Sequence, residues 1–364
     1  MKINFIDLQS QYLKYKEEID SEISEVLSTA QFIGGKKLDD LERDLASFIG
    51  VKHAIGCSSG TDALLLSLMA LNIGYGDEVI TTPFTFVATA EAIAFLGAKP
   101  VFVDIDKDSY NMDPSKIEAV ITERTKAIMP VSLYGQCADM DAINEIAKKH
   151  DLAVIEDACQ SFGATYNGKK SCGISTIGCT SFFPSKPLGA YGDGGAIFTD
   201  DDELASKMRM LLNHGQNERY KHKYIGINGR LDAIQAAVLN VKLKHFEEEA
   251  KVRDDIGSRY SDLLEDADVI TPKIAENSTS VYAQYSIRVK DRAAMVEKLS
   301  SKEIPTAVHY PLSLHLQEAF LYLGHKEGDF PVSEEVSTQI MSLPMSPFLT
   351  EAEQDFIVDA IKAD

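Results

Sequence analysis

Residues 77–106 read DEVITTPFTFVATAEAIAFLGAKPVFVDID. The short apolar runs at the two ends of this stretch, DEVITT and KPVFVDID, are typical of strands, and FVATAEAIAFLG between them has the composition and length of a helix. The alternation continues to residue 157, through predicted helices at DPSKIEAVIT and DMDAINEIAKKH and predicted strands at KAIMPVS and LAVIED. Such a βαβα rhythm predicts an α/β fold, with a mostly parallel sheet flanked by helices on both faces. Ligands bind beyond the carboxyl ends of such strands, so we look for functional residues in the loops that follow them.

The flanking sequence predicts two domains. Before the alternation, helical spacing at residues 12–27 and 37–49 and a strand at 53–57 form an N-terminal arm and the entry to the sheet. After it, a long amphipathic helix or helix pair begins at Leu231, and SVYAQYSIRV, AAMVEKLSSK and EAEQDFIVDAIKA then predict a strand and two helices. We therefore expect a large domain over residues 1–250 and a smaller α+β domain over residues 251–364.

Composition narrows the functional classes. The chain of 364 residues carries 36 basic and 56 acidic side chains, a formal net charge of −20. That acidity argues against binding to nucleic acid or to a membrane surface, because both favour a basic face. The five cysteines show no CxxC pair, the first residues lack a signal-peptide core, and no apolar run approaches a membrane span, which together predict a cytoplasmic protein. No sequence pattern predicts a metal site.

The segment SFFPSKPLGAYGDGGAIFTDD, residues 181–201, holds the main catalytic candidate. Apolar runs at Ser181–Pro184 and 196–199 predict two strands joined by a turn. Lys186 lies in this turn, between the prolines at positions 184 and 187. Apolar neighbours would partly desolvate the amine, lower its pKa and make it a better nucleophile. The first hypothesis is that Lys186 forms a Schiff base with a carbonyl cofactor. An ordinary surface lysine fits the same segment taken alone.

Three further segments supply candidate cofactor contacts. Gly60 and Thr61 in SSGTDAL precede an apolar helix, whose N-terminal N–H groups suit a phosphate, although an ordinary helix cap explains the same residues. Asp157 ends the strand LAVIED and could hold a protonated ring nitrogen, with Gln160 one turn later near a ring hydroxyl; a capping role for Asp157 is the alternative. Phe86 could stack on a flat ring or simply pack in the core.

Two more segments supply polar residues. GINGRLDAIQAA places Asn228 and Arg230 before the long helix, and the preceding loop NERYKHKYIG is basic in an acidic protein. This loop either lies at the rim of a site that binds an anion or is simply exposed to solvent. The extended segment VHYP offers His309 and Tyr310, although a single histidine is more often structural.

Together and in this order, these segments resemble the pyridoxal-phosphate (PLP) sugar aminotransferases of the DegT/DnrJ/EryC/StrS group. The resemblance covers nearly the whole chain and implies a fold-type I PLP enzyme that is a homodimer with active sites at the interface. By this similarity Lys186 is the Schiff-base lysine, and the other cofactor contacts are Gly60, Thr61, Phe86, Asp157, Gln160, Ser181 and, donated by the neighbouring subunit, Asn228.

The runs VSLYGQCADMDAI, SVYAQYSIRV and PTAVHYP are similar to a subgroup acting on UDP-2-acetamido-2-deoxy-3-oxo-glucuronate. That similarity implies transfer of an amino group from L-glutamate, in the synthesis of sugars for surface polysaccharide such as lipopolysaccharide O-antigen. The implied sugar-nucleotide contacts are Ala30, Phe32, Ser185, Arg230, His309 and Tyr310. Arg230 and His309 suit the C6 carboxylate. Ala30 and Phe32 depart from the glycine and tyrosine of the subgroup, and Phe32 has no hydroxyl to donate.

Three other functions remain open on the sequence. An aminotransferase acting on a dTDP-3-oxo-6-deoxyhexose would use the same cofactor residues. A related sugar dehydratase would carry histidine at the Schiff-base position, where this chain has Lys186. A non-catalytic regulator with the same fold would not need the full set of Lys186, Asp157, Gln160 and Ser181.

Overall fold

The computed structural model describes residues 3–363 of the chain. Its helices are α1 Leu8–Thr29, α2 Lys36–Ile49, α3 Gly60–Ala70, α4 Ala88–Phe95, α5 Met140–Lys149, α6 Asp202–Leu211, α7 Ala233–Leu263, α8 Arg292–Ser300, α9 Pro331–Gln339 and α10 Glu351–Lys362. Short 3₁₀ turns occupy Pro114–Lys116, Glu118–Val120, Leu314–Leu316 and Glu318–Leu323. None of the helices described here is long and apolar enough to cross a membrane.

Seven strands form the central sheet, in the order β1-β9-β8-β5-β4-β2-β3. Their bounds are β1 His53–Cys57, β2 Glu78–Thr81, β3 Lys99–Phe102, β4 Thr125–Ile128, β5 Ala153–Asp157, β8 Ile177–Ser181 and β9 Gly195–Thr199. Only β9 runs against its neighbours, and the others are parallel to one another. The predicted mostly parallel sheet is therefore confirmed, and the ends of β1, β2, β5 and β8 lie at the same edge.

The remaining strands form three two-stranded pairs. They are β6 Thr165–Tyr166 with β7 Lys169–Lys170, β10 Gln216–Glu218 with β11 Lys221–His222, and β12 Tyr285–Arg288 with β13 Ile340–Leu343. The β12–β13 pair packs with α8, α10 and the end of α7 around a separate apolar core that includes Tyr260, Tyr285, Leu343 and Ile357. The smaller α+β unit is thus present, whereas the division at residue 250 stays a prediction, because α7 passes through that position as one helix.

Some predicted elements differ from the structure. Residues 113–122 form two 3₁₀ turns rather than a helix, since Asp113 and Pro114 begin a tight turn that the next residues do not extend. The strand predicted at Ser181–Pro184 lies earlier: β8 ends at Ser181, and residues 182–184 already belong to the turn. The apolar pattern there reflects burial of Phe182 against the core rather than strand pairing. The predictions also lacked α6, α9 and β13.

Candidate active site

A cavity of about 430 Å³ lies at the carboxyl edge of the sheet, where the ends of β1, β2, β5 and β8 meet the VHYP segment. Ten of the fourteen predicted site residues line it. We call these the inner set: Gly60, Thr61, Phe86, Asp157, Gln160, Ser181, Ser185, Lys186, His309 and Tyr310. The other four, Ala30, Phe32, Asn228 and Arg230, are absent from its wall, and we call them the outer set.

Asp157, the last residue of β5, is buried at one wall of the cavity. Its Oδ2 accepts a hydrogen bond of 2.7 Å from the Thr89 hydroxyl on α4, and its Oδ1 accepts one of 3.2 Å from the backbone N–H of Cys159. These bonds fix the plane of the carboxylate. A fixed, buried carboxylate at this position can hold a cationic N–H group through a charge-assisted hydrogen bond.

Lys186 lies in the turn that follows β8 and is closed by two backbone hydrogen bonds. Its own N–H donates to the carbonyl of Phe183 at 2.8 Å, and the N–H of Ala190 donates to Phe182 at 2.7 Å. Burial lowers the pKa of the Lys186 amine, although the nearby Cys159 and Asp157 oppose that effect. The amine is therefore easier to deprotonate than a lysine in water and more available as a nucleophile or base.

The start of α3 forms the opposite end of the cavity. Ser59 caps the helix by accepting a hydrogen bond from the N–H of Asp62, so the N–H groups of Gly60 and Thr61 have no intrahelical acceptor. Position 60 requires glycine, because a Cβ there would come within 2.7 Å of the Ser181 Cβ and 2.9 Å of the Cys159 sulfur. This close approach brings the hydroxyl of Ser181 beside the helix start, which suits a phosphate.

Aromatic and imidazole side chains cover the cavity. Phe86 leaves 54% of its surface exposed, and its ring centroid lies 6.2 Å from that of Tyr310. The Tyr310 hydroxyl accepts a hydrogen bond of 3.1 Å from Gln160 Nε2, while Gln160 Oε1 accepts from the N–H of Tyr134. His309 contacts the Ser342 hydroxyl through Nδ1 at 3.0 Å, and burial together with Lys186 lowers the pKa of its ring.

The outer set lies together at the start of α7, away from the cavity wall. Ala30 ends α1, and Phe32, which is 45% exposed, accepts a hydrogen bond from the N–H of Ala233. Asn228 is exposed and pairs with Asn213, whose side chain also accepts a hydrogen bond of 3.0 Å from Arg230 Nη1. Within one chain, therefore, these four residues do not lie where they could make the predicted contacts to the sugar and the phosphate.

Cys159, Asp193 and Gln284 line the cavity and were not predicted, nor was Thr89, which lies behind the cavity wall and bonds to Asp157. The sequence gives Thr89 only a weak signal, as a polar residue in a mostly apolar helix that follows the end of β2; the structure shows that it is fully buried. Gln284 had none, since it lies in an alternating segment that predicts only a strand.

The residues present fit pyridoxal phosphate. The free N–H groups and hydroxyls at the start of α3 suit its phosphate, the fixed carboxylate of Asp157 suits its pyridine nitrogen, and the exposed face of Phe86 suits its ring. The amine of Lys186 opens into the same cavity, where its lowered pKa suits bonding to an aldehyde. In residues 3–363, no cluster of three or more histidine, cysteine or acidic side chains is arranged to hold a metal ion.

Fold and site together define a PLP-dependent aminotransferase of fold-type I. The profile of the DegT/DnrJ/EryC1/StrS aminotransferase family matches residues 14–362, and the chain belongs to that family. The resemblance seen in the sequence is thereby confirmed, as are the enzyme class and the cofactor.

Three relatives illustrate the similarity. The UDP-2-acetamido-2-deoxy-3-oxo-D-glucuronate aminotransferase of Pseudomonas aeruginosa is 53% identical over 359 residues, covering 99% of each chain. A protein of Geobacillus stearothermophilus described as a pleiotropic regulatory protein is 48% identical, covering 99% of this chain and 98% of its own. The crystal structure of NtdA from Bacillus subtilis, with bound cofactor PMP, superposes with a TM-score of 0.91 at 34% identity and covers 99% of this chain and 84% of its own.

Proposed function

We propose that this aminotransferase converts UDP-2-acetamido-2-deoxy-3-oxo-glucuronate to the 3-amino sugar, with L-glutamate as the amino donor. The observation that carries the proposal is that Lys186 and Asp157 line one cavity in a chain 53% identical to the Pseudomonas aeruginosa enzyme named for that substrate. The product would enter the synthesis of a surface polysaccharide such as lipopolysaccharide O-antigen. Five free cysteines suit a reducing cytoplasm, which we propose as the location.

Each inner residue has a defined task in this reaction. When bound, pyridoxal phosphate supplies an electron sink for the C–H bond that breaks during transamination. Asp157 would keep the pyridine nitrogen protonated, and Gln160 would bond the ring hydroxyl. The Lys186 amine, once displaced by the amino donor, would take the proton from the Cα of glutamate and later return a proton to C3 of the sugar. We therefore expect ping-pong kinetics, with 2-oxoglutarate leaving before the sugar nucleotide binds.

His309 and Ser185 are the inner residues we propose for the sugar. Burial and the neighbouring Lys186 lower the pKa of His309, which favours the neutral ring, so we propose that His309 recognises the C6 carboxylate by N–H donation rather than by charge. Arg230 would supply the charge, yet it belongs to the outer set. Tyr310 is already bonded to Gln160, so we propose that it supports both the cofactor ring and the sugar.

We propose a homodimer in which the outer set of one subunit completes the cavity of the other. Exposed apolar side chains support an interface: Phe183 at the cavity wall is 50% exposed, Ile33, next to Phe32 in the chain, is 50% exposed, and Ile225, three residues before Asn228, is 90% exposed. Large exposed apolar side chains of this kind are typical of protein–protein contacts. Asn228 would then reach the phosphate of the partner's cofactor.

The test is a comparison of two substrates with purified protein. L-Glutamate should change the visible absorbance of the bound cofactor, and the spectrum should return on adding the 3-oxo uronate sugar nucleotide. A dTDP-3-oxo-6-deoxyhexose, which lacks the C6 carboxylate, should restore it at least tenfold more slowly, as expected for loss of a charged contact. Faster recovery with the 6-deoxy sugar would reject the proposed substrate. A protein that binds the cofactor but never responds to glutamate would instead support the regulatory alternative.

A further inference from the structure

The turn that carries Lys186 is held from behind by two side chains of α7. Lys242 Nζ donates a hydrogen bond to the carbonyl of Gly189, three residues after Lys186. One heptad earlier, Gln235 Oε1 accepts a hydrogen bond of 2.8 Å from the N–H of Tyr191. Residues seven apart lie on nearly the same face of a helix, so one face of α7 makes hydrogen bonds to residues 189–191, the C-terminal part of the turn.

The turn has little freedom to move away from α7. A Cβ at Gly189 would come within 2.4 Å of the Pro184 carbonyl oxygen, and one at Gly192 within 2.9 Å of the Gln235 amide nitrogen. The Lys242 ammonium also lies 4.9 Å from the centre of the Tyr191 ring. The backbone from Pro184 to Gly192 is therefore packed against itself on one side and against α7 on the other.

Stability alone does not explain a lysine at position 242. The side chain is only 3% exposed, and in the described part of the chain its one hydrogen-bond acceptor is a backbone carbonyl; the buried Glu249 attracts the ammonium group electrostatically but does not bond to it, and Arg253 repels it. Burying an ammonium group in this way costs free energy, and a methionine of similar length would fill the space without that cost. What the ammonium group supplies and methionine cannot is a strong hydrogen bond at a fixed point of the catalytic turn.

We propose that Lys242 is a positioning residue, which sets the placement of the Lys186 amine by holding the Gly189 carbonyl. This inference rests on the proposed role of Lys186 and adds to it a residue that touches neither cofactor nor substrate. A displacement of the amine by even 1 Å would slow proton transfer while leaving the binding of both substrates nearly unchanged. The expected signature is thus a loss in kcat with little change in KM.

The holoenzyme with Lys242→Met tests the proposal. We expect kcat to fall about tenfold, KM for L-glutamate and for the sugar nucleotide to change less than about twofold, and the pH midpoint of the cofactor's visible absorbance to shift. Arg253→Met is the matched control. Arg253 is an equally buried cation on α7, 4% exposed, but it donates to the carbonyl of Tyr282 at 3.2 Å and does not contact the turn. Arg253 also lowers the pKa of Lys242, so this control removes a neighbouring buried charge while leaving the hydrogen bond from Lys242 to Gly189 in place. It should retain both the wild-type kcat and the wild-type absorbance midpoint.

Wild-type kcat and absorbance midpoint in Lys242→Met, or equal losses in both variants, would overturn the positioning role. If Lys242→Met does not fold, Gln235→Leu decides, because Gln235 is only partly buried and removing its acceptor loosens the same turn. That variant should show a smaller loss of kcat in the same direction, and unchanged kinetics would reject the inference. A wild-type protein without transaminase activity would reject the proposed function instead.

Discussion

The inner and outer sets of predicted site residues differ in how one chain places them. The ten inner residues line a single cavity, whereas the four outer residues lie at the exposed start of α7, outside its wall. Most inner residues follow strands of the central sheet, and the topology of a parallel sheet brings such positions to one edge, whereas His309 and Tyr310 reach that edge on the VHYP segment. Of the outer residues, Arg230 pairs with Cys57 at the end of β1 but does not line the cavity.

The two sets also differ in the tasks we propose for them. The inner set contains most of the proposed cofactor contacts and three of the six proposed sugar contacts, and one folded chain assembles them. The outer set supplies the other three proposed sugar contacts and Asn228 for the cofactor phosphate, and these depend, in our proposal, on a second copy. A substitution in the inner set should therefore inactivate the active site of the subunit that carries it. A substitution in the outer set should instead inactivate the active site of the partner subunit.

The strongest test of the inner set is Lys186→Ala. Without the amine there is no Schiff base with the cofactor and no group to move the proton, so we expect transamination to fall more than about 10³-fold and the visible absorbance band to disappear. Lys251→Ala is the control, because Lys251 is an exposed lysine on α7 that forms a surface ion pair with Asp255 and does not line the cavity. Measurable turnover by Lys186→Ala would reject the assignment of the catalytic lysine.

Two substitutions of different severity test the role of Asp157. Asp157→Ala should lower kcat by about 10² or more, because the pyridine nitrogen loses its charged partner. Thr89→Val keeps the shape but removes the 2.7 Å hydrogen bond to Asp157, and we expect a loss of about tenfold or less. Steady-state kinetics and cofactor titration measure both effects. A larger loss in Thr89→Val than in Asp157→Ala would contradict the order of these roles.

Mixing two inactive variants tests the outer set. Asn228→Asp would place a carboxylate against the cofactor phosphate, and Lys186→Ala removes the amine. If Asn228 serves the partner's cavity, mixed dimers contain one intact site, and a refolded equimolar mixture should regain about a quarter of wild-type activity. Activity that stays at the level of the separate variants would place Asn228 in its own subunit's site or outside any site.

The smallest expected effect is on the free energy of unfolding, through the titration of Lys242. Burial lowers the pKa of Lys242 from 10.5 to about 8; Arg253 adds to that lowering and Glu249 opposes it. Between these two pH values the unfolded chain binds a proton at Lys242 that the folded chain does not, so the free energy of unfolding rises with pH across this window.

Relative to Lys242→Met, the wild-type protein should therefore gain about 2 kcal/mol between pH 8 and pH 10 in denaturant titrations. The comparison cancels the tyrosines and the other lysines, because both proteins contain them. Parallel stability curves for the two proteins would show that position 242 does not titrate in this window.

The amino-acid sequence by itself determined the alternating strands and helices and the parallel sheet, and its resemblance to a known family named all fourteen candidate site residues without separating the inner set from the outer set. Strand and helix periods are local, and parallel strands place their following loops at one edge, so Lys186 and Asp157 could be matched to one site although they are 29 positions apart. The same local patterns gave a wrong prediction at residues 113–122, where the composition predicts a helix and the structure has two 3₁₀ turns.

Only the tertiary structure decided that Thr89 fixes Asp157, that Lys242 reaches Gly189, and that the outer set lies outside the cavity. The physical reason is that each of these depends on the path by which segments far apart in the chain pack together. A lysine in an amphipathic helix looks like any solvated lysine until the packing of α7 beneath the catalytic turn buries it.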